Sequence, residues 1–173
     1  DILPIFKDDS IVYKETDSRL CSIEHFYMLM NNSGLKRFTE AQYRDYDQAL
    51  KEIRNGKKTS HWIWYIFPQL RGLGRSYMSD YYGIKDLEEA KAFLQNPYLG
   101  KNLKEISEAL LELDSDNATQ VMGIPDNMKL KSSMTLFACA DPETDVFEKV
   151  LEKFYNGQKD GQTLKMLSKE SGE

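Results

Sequence analysis

From Leu35 to Asn55, Phe38, Gln42, Tyr46, Ala49, Leu50 and Ile53 recur at spacings of three and four, with charged residues between them. That period predicts an amphipathic helix. Gly56 stands where a helix ends, and Lys51 and Arg54 fall in the last turn, where cations oppose the helix dipole. A short apolar piece, His61 to Phe67, follows, with Ser60 as its expected N-cap and Pro68 as its stop. Leu70 to Ser76 carries Gly72 and Gly74 and reads as a loop, with a further helix expected to begin near Tyr77.

The second half repeats the grammar. Asp86-Leu-Glu-Glu89 has the form of a capping box opening a helix to Gln95. Pro97 starts another, with Leu99, Leu103, Ile106, Leu110 and Leu113 as its apolar stripe. Pro125 suits the first position of a helix carrying Met128 to Ala140. Pro142 is expected to open a helix that buries Val146, Phe147, Val150, Leu151 and Phe154 and ends at Gly157. Asp160 caps a last one through Leu167. Period-two alternation occurs only at Ser10 to Thr16, where Ile11 and Tyr13 fit a short strand or extended arm. The expectation is a single all-α orthogonal bundle of about six to eight helices. Residues 1–34 would be an N-terminal extension or arm, 35–167 the helical domain and 168–173 a tail.

Composition narrows the class. The chain has 173 residues, 40% hydrophobic and 29% charged, as in a soluble domain. The longest apolar run, Trp62 to Phe67, is far short of the ~20 residues that span a bilayer. Net charge is −5, which disfavours nucleic-acid and anionic-membrane partners. Two cysteines, Cys21 and Cys139, are too few for a disulfide scaffold. No basic stretch followed by an apolar one opens the chain, so a cytoplasmic location is expected.

The chemically dense segment is Ser60 to Ser76, which holds both tryptophans, His61, Gln69, Arg71 and Arg75. So apolar a segment is expected to be central, with the tryptophans as core anchors whose indole N–H groups then need acceptors. Arg71-Gly-Leu-Gly-Arg-Ser76 combines glycines, two cations and a following helix, the ingredients of an anion site. It has neither the Walker spacing nor a dinucleotide fingerprint, and no cofactor is expected. A tight turn with solvated arginines is the competing reading.

Four further stretches belong with this one: Tyr82-Gly-Ile84, Asn96-Pro-Tyr-Leu-Gly100, Asp126 to Phe137, and Phe154 to Leu164. Together with Ser60–Ser76 they resemble the bacterial family known as domain of unknown function 1810, over about residues 35–167. The resemblance implies a mainly α-helical single domain and carries no activity. Its signature positions fall on Ser60, His61, Trp62, Trp64, Phe67, Pro68, Gln69, Arg71, Gly72, Gly74 and Ser76. A second set falls on Lys129 to Met134 and on Phe137. Two polar clusters distant in sequence suggest a shared pocket, or a buried polar network that fixes helix crossings. Ser22-Ile-Glu-His-Phe-Tyr27 resembles, over six residues, the S-x-E-H-Y motif of NADAR glycosidases, which act on ADP-ribose-linked substrates. Glu24 would then be an acid/base candidate, against chance similarity on an amphipathic helix.

Other chemistry is sparse. Ser132 and Ser133 beside Lys131 offer a Ser–Lys pair without the S-x-x-K spacing, and hydroxyls bonded back to a helix carbonyl are the simpler reading. Cys21 and His25 stand at i,i+4 with no second ligand pair, so no metal site is expected. His61 is the other acid–base candidate. The leading expectation is a pocket for a small anionic metabolite, a nucleotide or ADP-ribose derivative. Its walls would be Ser60 to Ser76 on one side and Lys129 to Ser133, with Lys131, Ser132 and Ser133, on the other; Arg71, Arg75 and the loop of Gly72, Gly74 and Ser76 would take the anion. Trp62 or Trp64 would stack on a ring, and His61 or Gln69 would orient it. The alternatives are the NADAR-like glycosidase and a protein-interaction module without ligand.

Overall fold

The computed structural model describes residues 5–7, 10–12 and 34–172. Strands β1 (Ile5–Lys7) and β2 (Ser10–Val12) pair antiparallel, with Ile5 opposite Val12. Ile11 therefore lies on a strand as its alternation predicts; Tyr13 falls outside the described residues. The remainder is helical, with nine helices among the described residues: α1 (Lys36–Arg54), α2 (Ile63–Ile66), α3 (Tyr77–Tyr81), α4 (Leu87–Gln95), α5 (Pro97–Leu111), α6 (Ala118–Met122), α7 (Asp126–Ala140), α8 (Val146–Tyr155) and α9 (Gly161–Glu170). This is the expected all-α bundle with one helix more: α6, five residues capped by the Asn117 side chain.

The apolar stripes are buried as their spacing requires. All six face residues of α1 lie in the core, as do the five expected of α8. Aromatic rings link the helices: Phe38 of α1 meets Phe93 of α4 edge-on at 5.1 Å, Phe93 meets Phe137 of α7 at 5.3 Å, and Phe137 meets Phe147 of α8 at 5.9 Å. The central element is α7, which packs against α2, α4, α6, α8 and α9. It buries residues around most of its circumference, Ser132, Ser133 and Thr135 among them. The segment expected to be central, α2, is buried but lies to one side of this hub.

Most helix ends follow the capping chemistry. Asp86 Oδ1 accepts from Glu89 N at 2.8 Å. Glu89 itself turns away to Arg37 at 2.7 Å and to Lys85 N at 3.2 Å, so the capping box is one-sided. Asn96 Oδ1 accepts from both Tyr98 N and Leu99 N at 3.0 Å, and Pro97 follows at the first helical position. Asp160 Oδ2 takes Thr163 N at 3.0 Å. Three ends differ from expectation. Ser60 does not cap α2, because the helix starts only at Ile63, which puts Trp62 and not Ser60 at the N-cap position. Pro142 opens a turn and α8 begins at Val146. The last helix, α9, runs on to Glu170, whose carboxylate accepts from Leu87 N at 3.3 Å. No helix among the described residues is long and apolar enough to cross a membrane.

Candidate functional site

The site begins with Glu52, a carboxylate on the apolar face of α1, 4% exposed. Its Oε1 accepts from Thr59 N at 2.6 Å, Ser60 N at 2.7 Å and the Trp62 indole N–H at 3.1 Å, while Oε2 accepts from Gln48 at 3.0 Å. One buried side chain thus fixes the loop between α1 and α2. Burial pushes its carboxyl pKa up; hydrogen bonds from Thr59, Ser60 and Gln48 outweigh it and hold the pKa at about 2.

The loop presents Lys58, which is largely buried. Its ammonium pairs with Asp126 Oδ2 at 2.8 Å, donates to the Ser60 carbonyl and lies 4.9 Å from the centre of the Trp62 ring. Asp126 opens α7, where a carboxylate suits the positive end of the helix. Lys129, one turn on, approaches Asp126 Oδ1 at 3.7 Å and lies 5.0 Å from the centre of the Trp64 ring. Two lysines share one aspartate, and with the ionised Glu52 under the same loop the site is formally neutral; Lys129, held by the longer contact, is the cation least tied to a carboxylate. An open cleft of about 340 Å³ lies there, walled by Lys58 to His61, Trp64, Ile124 to Asp126 and Lys129. Trp64 and Lys129 also wall an adjoining narrow slot of about 10 Å³, together with Gln69 and Ser79.

The two segments singled out in the sequence therefore meet, but through few of the residues expected. Ser60, His61 and Trp64 line the cleft, with His61 exposed, and Gln69 lines the slot. Trp62 is 1% exposed and its N–H is used by Glu52, so its ring is closed to a ligand. Arg71 donates from Nε to the Asp80 carbonyl at 3.2 Å and from Nη2 to Gly83 O at 3.4 Å, tying its loop to the end of α3. Ser76 caps α3 through Ser79 N at 3.1 Å, and with five residues α3 has little dipole to offer an anion.

Gly74 and Gly83 are packing positions. A Cβ on Gly74 would meet Ser79 Oγ at 2.3 Å, and one on Gly83 would meet Arg71 Cα at 2.6 Å. Nearby, Leu70 and Ile84 form an isolated parallel bridge, with Arg71 N to Ile84 O at 2.8 Å and Ile84 N to Gln69 O at 2.9 Å. Gly72 has a φ of +101°, and Arg75 and Ser76 are exposed. None of Arg71, Gly72, Gly74, Arg75 and Ser76 lines the cleft.

On α7, Ser132 bonds back to the Met128 carbonyl at 3.2 Å, the simpler of the two readings. Lys131 lies 5.9 Å from the Tyr155 ring and does not line the cleft. Ser133 is fully buried, with no acceptor or donor to its hydroxyl among the described residues. Cys21, Glu24 and His25 fall outside the described residues. Lys58 and Asp126 were not legible as site residues: each is a single charge, one in a loop and one in a first turn.

Comparison with known proteins agrees with this architecture and adds no activity. A family model described as "Protein of unknown function (DUF1810)" matches residues 32–167. The crystal structure of the conserved hypothetical protein Rv1873 from Mycobacterium tuberculosis, at 1.38 Å, is 43% identical to the chain with a TM-score of 0.76. The match covers 78% of this chain and 96% of that one. No curated protein matches.

Proposed function

The chain belongs to the family of proteins of unknown function DUF1810, and from the site that its two signature segments build we propose that it binds a small anionic metabolite in the cleft between Ser60–Trp64 and Asp126–Lys129. The observation that carries this reading is the Lys58–Asp126–Lys129 cluster beside Trp64. Lys58 spends its donors on Asp126 and Ser60 O, whereas Lys129 makes one long ion contact and keeps donors for a ligand. In so sheltered a place, charge attraction is stronger and less screened by salt than on an open surface. Lys129 would take the anion, Lys58 would hold Asp126 and sustain the field, and His61 at the rim would orient the rest. A polar cleft between the signature segments favours a ligand-binding protein over a pure interaction module. The assignment is to binding.

The test is a thermal-shift screen against ADP-ribose, nucleotides, sugar phosphates and inorganic phosphate. A ligand at about 100 times its Kd stabilises by about 2.7 kcal/mol, worth about 5–10 °C for a chain of this size. Wild type and Arg71→Ala should both shift, and Lys129→Met should not. A shift lost in Arg71→Ala and kept in Lys129→Met would move the site to the glycine loop. No shift across the panel would remove the proposal.

A further inference from the structure

The two tryptophans differ in one respect that bears on what the cleft binds. The Trp62 indole N–H has its acceptor in Glu52, at 3.1 Å. The Trp64 indole nitrogen is equally shut off from solvent and has no acceptor among the described residues. A buried N–H without a partner is costly, and native proteins leave few of them. Trp64 lines both the open cleft and the adjoining slot of about 10 Å³. That volume admits one oxygen-sized atom. Lys129, the cation with donors to spare, lines the same two spaces.

We infer that the slot receives one oxygen of the ligand's oxyanion, a phosphate or carboxylate, with Trp64 Nε1 as its donor and Lys129 as its counter-charge. This rests on the anion-binding reading of the cleft and adds the recognition rule. Trp64 and Lys129 can only donate, while Gln69 and Ser79 can donate as well as accept, so every polar side chain of the slot can serve an oxyanion. An ammonium in the same place would meet the like charge of Lys129 and is disfavoured. The oxyanion is thereby anchored at the inner end, and the remainder of the molecule occupies the 340 Å³ cleft beside Ser60 and His61. The rival occupant is a resident water, for which Trp64, Gln69 and Ser79 would supply enough partners.

The two possibilities separate in one experiment on the full chain. With two tryptophans, the ¹⁵N-labelled protein gives two indole cross-peaks, identified by the one missing in Trp64→Phe. The protein is titrated in separate arms with inorganic phosphate, ribose 5-phosphate and acetate. The expected result is a downfield shift of the Trp64 indole peak with at least one probe, while the Trp62 peak stays still. The arm that moves it names phosphate or carboxylate. Trp64→Phe keeps a ring and loses the N–H, and should bind that probe at least about tenfold more weakly. If backbone peaks of Ser60 and His61 move on titration while the Trp64 indole does not, water holds the slot and the inference falls, though the cleft reading stands. If neither the loop nor the indole responds to any arm, both fall.

Discussion

Glu52→Ala is expected to cost about 4 kcal/mol of folding stability and to lower the thermal midpoint by about 8–16 °C. The size follows from what one carboxylate does. It is the acceptor for Thr59 N, Ser60 N and the Trp62 indole N–H, and it sits in the core at the end of α1. Removal leaves three donors without that acceptor, the Trp62 indole N–H buried and the Thr59 and Ser60 amides partly so, and each buried donor left unmet costs about 1–3 kcal/mol. The loop that presents Lys58 and Ser60 to the cleft loses its anchor at the same time, so ligand binding should weaken with stability.

The same group sets an acid limb. Its pKa is about 2 in the folded chain against an ordinary 4.5, so the unfolded chain takes up the proton first as pH falls. Its contribution is whole above pH 4.5 and is lost as pH drops through 4.5 toward 2. The full shift is worth about 3 kcal/mol, and solvent screening at the loop's open rim reduces it to about 1–2 kcal/mol. Chemical unfolding of wild type and Glu52→Gln across that window should show a steeper loss in wild type. Equal slopes would remove Glu52 from this role.

The second large effect belongs to Gly100. The Asn96-Pro97 joint between α4 and α5 is so short that the first turn of α5 lies against the end of α4. A Cβ on Gly100 would come within 2.0 Å of the Leu94 carbonyl oxygen and 2.9 Å of its carbon, both backbone atoms that cannot swing aside. Gly100→Ala should therefore force the two helices apart at a cost of about 3 kcal/mol. Gly161→Ala, where a Cβ meets nothing within 4 Å, is the control and should stay within about 0.5 kcal/mol of wild type. Urea unfolding reads both as shifts of midpoint at constant slope. A Gly100→Ala midpoint equal to that of Gly161→Ala would mean the helix joint opens freely.

These residues show which parts of the molecule were legible in the sequence. The faces of α1, α5 and α8 follow from spacing, because a long stripe at helical period has one way to be buried. The Asn96-Pro97 start and the Asp160 cap follow from local chemistry for the same reason. Helix α6 was missed because five residues are too few to show a period. The centrality of α7 is hidden in the sequence because Ser132, Ser133 and Thr135, all buried, interrupt its apolar residues.

At the site, composition misled at one end and was silent at the other. Arg71-Gly-Leu-Gly-Arg75 has the residues of an anion loop, yet Arg71 is used on backbone carbonyls and the helix beyond is short. Lys58 and Asp126 become partners only through the fold. Glu52 did leave a signal: it stands three residues after Ala49 and one before Ile53, a charge on an apolar face. Such a residue is buried only where donors await it.

A crystal structure of the chain soaked with the compound giving the largest thermal shift would locate the anion proposed to bind beside Lys129 and Trp64. The expected result is density for the anionic group within hydrogen-bonding reach of Lys129 Nζ and Trp64 Nε1, with the body of the molecule beside Ser60 and His61. Density on the Arg71–Ser76 loop, with the Lys58–Lys129 cleft empty, would contradict it.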